Sequence, residues 1–228
     1  MGNCLRNFKI YKNGFTLAEV LITLVIVGVV ASLTISAVIN TYVERSTIAK
    51  VKKGLSILGQ AKKLAEVQNG SVEGWDFGAG WSSTTNAQFW SYLKPYISIV
   101  KDCGSSNGCY ANEGVKTLSS GIYANFDSDS TYYKFILSDG SVMWFRTGGP
   151  SGAGKCSLPD GGVENVCALF WYDVNGDKKP NTFGKDVFLF EFGKDGVLPY
   201  IANTCDKNQS GSGCSGYIIK HNNMNYLH

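Results

Sequence analysis

The fold of this chain is decided by the stretch NGFTLAEVLITLVIVGVVASLTISAVI, residues 13–39. From Val20 to Ile39 it contains no ionisable side chain, and a helix of that length, about 30 Å, can cross the hydrocarbon core of a bilayer. Its single charged residue is Glu19. Because a charge inside a lipid-spanning helix costs about 2.5 to 3.5 kcal/mol on insertion scales, Glu19 is expected to need a partner group. The stretch predicts a transmembrane helix over about 15–39 with one functional carboxylate near its beginning.

A basic leader, residues 1–14, precedes the apolar run. It has no acid and three basic residues, Arg6, Lys9 and Lys12. This positive flank predicts that the leader stays in the cytoplasm. In an ordinary secretory signal the cleavage site follows the apolar segment, whereas here the candidate junction, Gly14-Phe15, lies before it. The anchor is therefore expected to survive processing.

The hexapeptide GFTLAE, residues 14–19, followed by an apolar run, resembles the N-terminal signal of type IV pilins and of the pseudopilins of type II secretion. The resemblance implies that a prepilin peptidase cuts after Gly14 and that the new Phe15 amine is methylated. It also implies like pilin subunits and an inner-membrane assembly platform as partners. The alternative is a plain single-span membrane protein or an uncleaved signal anchor, in which Glu19 has no special function.

Glu19 is predicted to act in assembly. Cleavage would free an ammonium group at Phe15, about one helical turn before Glu19, and that cation suits a carboxylate in lipid. In a helical array, Glu19 of one subunit would meet Phe15 of its neighbour. The precursor is expected in the bacterial inner membrane, surrounded by lipid and with its head outside the cytoplasm. After assembly it would form an extracellular or periplasmic filament.

The fold expected beyond the leader is α+β: a long N-terminal helix packed on an antiparallel β-meander head with disulfide-closed loops. Apolar residues at three- and four-residue steps from Ile48 to Ala65 predict that the helix continues as an amphipathic half. The helix would cover residues 15–68, ending before Gly70, and the globular β-rich head would cover 69–228. Five lysines of the amphipathic half are interpreted as a solvated face: Lys50, Lys52, Lys53, Lys62 and Lys63.

Aromatic and β-branched runs predict five strands in the head, over residues 121–127, 131–138, 141–147, 167–174 and 186–192. Asp139-Gly140 between the second and third runs is a strong hairpin signal. A short helix is expected over 86–93, ended by Pro95. Trp75 and Trp81 are predicted to be buried rather than surface contacts.

The mature chain contains an even set of six cysteines once Cys4 leaves with the leader. They form three close couples along the chain, Cys103 with Cys109, Cys156 with Cys167, and Cys205 with Cys214. An even set in a translocated domain indicates disulfides, and pairing within the couples is predicted among the 15 connectivities that six cysteines allow. A metal site is a weaker interpretation, because the chain has no CxxC pair and only two histidines, near its end.

The candidate chemistry of the head lies in DVNGDKKPNTFGKD, residues 173–186. Four side chains place oxygen at intervals along it: Asp173, Asn175, Asp177 and Asp186. Such a pattern can wrap a hard cation such as Ca²⁺, and the stretch resembles loops of pilin and pseudopilin heads, some of which hold calcium. However, an EF-hand would need an acid at residue 184, which is Gly184, and two lysines lie inside the loop. The alternative is a turn in which Asp173 and Asn175 bond backbone amides, so either no cofactor or calcium is expected.

The net charge and the motifs that the sequence lacks argue against a nucleic-acid-binding protein and against an enzyme. Without the leader, the chain has 21 − 3 = 18 basic residues against 18 acidic ones, so nucleic acid is not indicated. No GxSxG, HExxH or phosphate-cradling motif occurs, so no enzyme is expected. The sequence therefore predicts a structural subunit of a type IV pilus or related filament. The alternatives are a secretion pseudopilin and, from another class, a monomeric membrane-tethered adhesin or binding module.

Overall fold

The computed structural model describes residues 14–78, 82–110, 113–147, 156 and 165–228. Its α-helices are α1 (Leu17–Asn69), α2 (Ser83–Leu93) and α3 (Cys214–His221). Its strands are β1 (Ile99–Gly104), β2 (Val115–Lys116), β3 (Ile122–Ala124), β4 (Tyr133–Leu137), β5 (Val142–Thr147), β6 (Val166–Asp173), β7 (Val187–Gly193) and β8 (Val197–Pro199). Short 3-10 turns cover Val72–Gly74, Lys94–Tyr96 and Asn225–Leu227. The α+β class predicted from the sequence is confirmed.

Helix α1 begins two residues after the predicted start and ends one residue after the predicted end. Its C-terminus is closed by Gly70, which has φ +76° and donates its N–H to the Glu66 carbonyl at 2.9 Å. Only a residue that tolerates positive φ can close a helix in this way, which explains the glycine. The chain divides into two compact units between Val43 and Glu44, and α1 contributes to both.

The main sheet of the head has six antiparallel strands in the order β1-β4-β5-β6-β7-β8. From β4 to β8 each strand pairs with the next along the chain, so the predicted meander is confirmed there. The β4–β5 turn is formed at Asp139-Gly140, where Gly140 has φ +83° and donates its N–H to the Leu137 carbonyl at 2.9 Å. That geometry is the hairpin that the sequence predicts.

The strand predicted over 121–127 is wrong as a member of this sheet. Only Ile122–Ala124 is extended, and it pairs with β2 in a separate two-stranded sheet. The extended backbone stops because the Asn125 side chain accepts the N–H of Asp127 at 3.2 Å and makes a turn. The sequence analysis also missed β1, which lies at one edge of the main sheet beside β4.

The segment before the sheet follows the predictions closely. Helix α2 starts three residues earlier than predicted because Ser82 caps it, its Oγ accepting the N–H of Thr85 at 3.1 Å. Trp75 is buried, as predicted, and stacks on Tyr92 with ring centroids 4.8 Å apart. Trp81 lies outside the described residues.

The main sheet has an apolar core on each face. Phe145 and Phe170, paired between β5 and β6, belong to the core that also contains residues of α1 and α2. The next pair in the register, Trp144 and Trp171, belongs to a second core with Val115. Successive side chains of a strand point to opposite faces, so the sheet is covered on both sides. This explains why all eight residues of β6 are buried.

Helix α1 approaches the sheet most closely at Gly54. A Cβ atom at this position would lie 2.6 Å from Cδ1 and Cε1 of the Tyr172 ring. Tyr172 is fully buried in β6, so its ring has no room to move away. The glycine therefore sets the distance between α1 and the sheet.

The predicted solvated face of α1 is confirmed at Lys52, Lys53 and Lys63, which are exposed, and is wrong at Lys62. Lys62 is only 5% exposed, and its Nζ donates to Glu66 Oε1 at 2.6 Å and to the Lys194 carbonyl at 3.0 Å. Lys50 donates to the Val174 carbonyl at 3.0 Å. Lys52 and Lys53 bond to side chains of the head at 2.7 and 2.6 Å. Long side chains can lay their stems along apolar surface and still reach such partners, and helical periodicity alone does not reveal this.

We expect Gly54→Ala to lower the thermal stability of the head, although alanine is the better helix former. Overpacking against Tyr172 costs about 1 to 3 kcal/mol, which exceeds the gain of about 1 kcal/mol in helix propensity. The measurement is thermal unfolding of the full chain in mild detergent, followed by near-ultraviolet circular dichroism.

The matched control is Gly59→Ala in the same helix, because a Cβ atom there would meet nothing within 4 Å. That variant should be as stable as the parent chain or stabilised by up to about 1 kcal/mol. Equal melting temperatures for the two variants would contradict a packing role for Gly54.

The ion pair between Lys53 and Asp139 predicts a dependence of stability on pH. Burial acts to raise the pKa of Asp139, but hydrogen bonds from Lys53 and Ser141 outweigh it and lower that pKa to about 2. A carboxylate with a lowered folded pKa stabilises above its unfolded pKa, about 3.9, and loses that contribution as the pH falls toward 2. Lys53→Met should therefore cost about 0 to 1 kcal/mol at pH 7, because the pair is partly exposed, and less at pH 2.

Unfolding free energies of the parent chain and the variant at both pH values provide the measurement. Lys63→Met, which changes an exposed lysine of the same helix, should show no comparable pH-dependent difference. A cost for Lys53→Met that is the same at pH 7 and pH 2 would refute the charge pairing.

Candidate functional site

The predicted processing junction lies at the start of α1. Gly14, Phe15 and Thr16 precede the helix, and the Phe15 side chain is 88% exposed. A Cβ atom at Gly14 would meet nothing within 4 Å. The peptide bond after Gly14 is therefore accessible and lies outside the hydrogen-bonded helix.

Thr16 and Glu19 form a reciprocal cap at the first turn of α1. The Glu19 carboxylate accepts the Thr16 N–H and the Thr16 hydroxyl, each at 2.8 Å. In return Thr16 Oγ1 accepts the Glu19 N–H at 3.2 Å. This is a capping box, which satisfies two amide groups that have no partner within the helix. The sequence analysis missed Thr16, although the spacing Thr-x-x-Glu is the signal for such a cap.

The helix beyond Glu19 exposes a continuous apolar surface. Its large side chains are exposed all round the helix: Leu17, Val20, Leu21, Ile22, Leu24, Val25, Ile26, Val27, Val29, Val30, Leu33, Ile35, Val38, Ile39, Tyr42 and Val43. Among the described residues, α1 is the one helix long and apolar enough over part of its length to cross a membrane. An apolar surface of this length is stable only in lipid or against other apolar helices. Pairing of Glu19 with a neighbour's Phe15 stays a prediction.

The head contains the three predicted disulfides, Cys103–Cys109, Cys156–Cys167 and Cys205–Cys214. The first closes a loop that is held in place by Asp127, whose carboxylate accepts the N–H groups of Gly108, Cys109 and Tyr110 at 2.9 to 3.1 Å. These bonds fix the backbone at Tyr110. Its hydroxyl then donates to Asp173 Oδ2 at 2.6 Å, which links the disulfide loop to the end of β6.

Asp173 and Asp186 flank the candidate cation loop, and both are buried. Asp173 Oδ1 accepts the Asn175 N–H at 3.0 Å, which is the turn that the sequence analysis gave as the alternative to metal binding. Asp186 accepts the N–H groups of Asn181 at 2.9 Å and Thr182 at 2.6 Å. The sequence analysis treated Asp186 as a candidate ligand only, but it also organises the backbone that returns to β7.

The buried surroundings of this loop disfavour a negative charge on both Asp173 and Asp186. Burial raises the pKa of Asp186 to about 6. Burial, followed by the charge of Asp186, raises the pKa of Asp173 well above its usual range. Burial likewise raises the pKa of Tyr110, which keeps its hydroxyl protonated as a donor. The interior at this point therefore favours neutral or compensated carboxyl groups.

The structure does not bring all four predicted ligands together. Asp177 is exposed, whereas Asp173 and Asp186 are buried and Asn175 contacts both of their side chains. In the part of the chain that the structure describes, no group of three or more His, Cys, Asp or Glu side chains is placed to hold a metal ion. A cation site here would therefore depend on amide oxygens as well as carboxylates.

Comparison with known proteins identifies the N-terminal segment. Residues 10–35 match the family model described as the prokaryotic N-terminal methylation motif. This match includes Gly14, Phe15 and Glu19 and leaves the head outside it. No curated protein and no solved structure is significantly similar to this chain. The chain therefore carries the N-terminal signal of type IV pilin and pseudopilin precursors.

Proposed function

We propose that this protein is a structural subunit of a type IV pilus or a related filament, and not an enzyme. The observation that carries the proposal is the methylation motif at the start of a helix whose first half is apolar and exposed on every side. A lone helix of this kind requires lipid before assembly. Similar helices of neighbouring subunits would replace the lipid after assembly.

Processing would convert the precursor into an assembly-competent subunit. A prepilin peptidase would hydrolyse the peptide bond between Gly14 and Phe15, and the inner-membrane anchor would remain on the mature chain. The new Phe15 ammonium would then be methylated. Thr16 would keep the Glu19 carboxylate hydrogen-bonded while it is in lipid, and during docking Glu19 would pair with the Phe15 ammonium of a neighbouring subunit.

A related filament subunit and a protein of another class are the alternatives. A pseudopilin of type II secretion would use the same signal and a shorter, periplasmic filament. The three disulfides of the head are compatible with either filament, because disulfides persist both outside the cell and in the oxidising periplasm. A monomeric membrane-tethered adhesin would need no assembly platform and would give no filaments that pellet after shearing of the cells.

The first test of this function is the mass of the mature chain. Protein purified from sheared filaments should start at Phe15 and carry the mass increment of one methyl group on its amine. A bulky substitution such as Gly14→Val should leave full-length precursor in the membrane, because the junction no longer fits the peptidase. A mature chain that starts after Ile39 would exclude a pilin-type subunit.

The second test separates the two roles of Glu19. Glu19→Ala removes the cap and the charge, whereas Glu19→Gln keeps a capping side chain and removes only the charge. If the charge pairs with a neighbour's Phe15 ammonium, both variants should be processed and inserted in the membrane, and both should lose incorporation into filaments. Immunoblots of sheared and membrane fractions from a strain lacking the native gene provide the measurement.

Thr16→Ser serves as the control, since serine retains the capping hydroxyl and leaves Glu19 charged. It should assemble as the parent chain does. Normal filament yield from Glu19→Gln would show that the carboxylate acts only as a helix cap, and the proposed docking pair would then be wrong.

A further inference from the structure

The head contains two Asn-x-Ser triplets, which is the pattern that carries N-linked oligosaccharides on exported proteins. The first is NGS, residues 69–71, at the end of α1. The second is NQS, residues 208–210, inside the loop that the Cys205–Cys214 disulfide closes. Only the second has an acid two residues before the asparagine, at Asp206. Both triplets follow the anchor in the sequence, so the local structure decides which of them can be modified.

The second triplet lies at the tip of a tight turn. Gln209 donates its N–H to the Asp206 carbonyl at 2.9 Å, which closes the turn. The Asp206 side chain also accepts the Asn208 N–H at 2.8 Å. Lys207 and Asn208 therefore occupy the two central positions of the turn, and both are exposed. The acid before the triplet thus helps to present the asparagine to solvent.

The rest of the head holds this turn from behind. The Gln209 carbonyl accepts the Ser119 N–H at 3.0 Å, and the Ser210 carbonyl accepts the Leu118 N–H at 3.1 Å. The third disulfide joins the two ends of the loop. The turn is therefore fixed on its inner side and open on its outer side, so a large group attached to Asn208 would displace no packed side chain.

The two triplets differ in the side-chain nitrogen that would carry the sugar. Asn69 Nδ2 donates to the Ala65 carbonyl at 2.9 Å, and the same triplet contains Gly70, which closes α1. Within the described residues, the Asn208 side chain forms no hydrogen bond. A nitrogen that attacks a sugar must first give up any hydrogen bond that it donates, which costs free energy at Asn69 and none at Asn208. The structure therefore favours the second triplet.

We propose that Asn208 is a site of N-linked glycosylation, and that the donor is an oligosaccharide carried on a lipid diphosphate. A bond forms between Asn208 Nδ2 and C1 of the sugar, while the bond between C1 and the diphosphate oxygen breaks. The lipid diphosphate leaves with the bonding electron pair, and Nδ2 gives one proton to a base of the transferase. This step requires only that the head is exported, and it does not depend on assembly of the chain into a filament.

Asp206 and Ser210 supply the other groups that a transferase can recognise. The Asp206 carboxylate is exposed beside the acceptor and can pair with a cationic side chain of the enzyme. The Ser210 hydroxyl lies at the third position of the triplet, and within the head it is 3.0 Å from Ser212 Oγ. Because a hydroxyl group rotates, it can exchange this neutral hydrogen bond for one to the enzyme.

The test is mass spectrometry of the full chain purified from the membranes of its native cells. Reduction and cleavage before aspartate release residues 206–228, a fragment that contains one triplet. We expect this fragment to carry the mass of an oligosaccharide and to give sugar fragment ions, with the sugar placed on Asn208. A tryptic fragment that contains residues 69–71 should have the mass of the unmodified peptide.

Asn208→Gln is the decisive variant, because glutamine is not an acceptor and the side chain is exposed. It should lack the sugar and migrate faster than the parent chain in a denaturing gel. Asn69→Gln is the matched control and should migrate as the parent chain does. Ser210→Ala should also abolish the modification, whereas Ser210→Thr should retain it, since threonine keeps the hydroxyl of the pattern.

Three results would overturn the site. One is a fragment 206–228 that carries no sugar in the mature chain from its native cells. Another is a sugar that remains in Asn208→Gln, since this would place it on a serine hydroxyl or, by glycation, on Lys207. The third is a modification that Ser210→Ala leaves intact, because a transferase that reads the triplet needs its hydroxyl.

Discussion

The head depends on the contact between the second half of α1 and the main sheet. Gly54 allows the helix backbone to lie against the Tyr172 ring, where a single added methyl group would approach within 2.6 Å. At this separation Val51 and Leu58 reach the core on that face of the sheet. Lysines of the same helix then bond to the ends of strands and to loops. The short distance between α1 and the sheet at Gly54 thus allows both the apolar contacts of the helix and the hydrogen bonds of its lysines with the head.

The other face of the main sheet carries the second apolar core, which leads to the loop between β6 and β7. There the Trp144 and Trp171 pair lies under Tyr110 and Phe126, and the same layer leads to Asp173 at the end of β6. Asp127 holds the Cys103–Cys109 loop through backbone amides, and this places Tyr110 over Asp173. The disulfide loop therefore also positions a hydrogen-bond donor at the loop between β6 and β7, which a predicted disulfide alone does not imply.

Predictions succeeded where the interactions are local along the chain. The helix, its end at Gly70, the hairpin at Asp139-Gly140 and the three cysteine couples all depend on residues a few positions apart. The strand predicted over 121–127 failed because its extended part pairs with β2 and Asn125 then turns the chain, and composition does not reveal pairing partners. The prediction that Lys62 is solvated was wrong for a similar reason, since its buried amine donates to the Lys194 carbonyl, far away in the sequence.

The sequence by itself determined the prepilin signal, because the Gly14-Phe15 junction, Glu19 and the apolar run follow one another in a single continuous segment. It also determined that disulfide bonds close loops of the head. Only the tertiary structure decided which oxygens of the 173–186 loop are buried and without a partner. The alternate spacing of Asp173, Asn175 and Asp177 pointed to Asp177 and not to Asn181. The fold nevertheless exposes Asp177 and buries Asn181, because the backbone folds back onto Asp186 at Asn181 and Thr182.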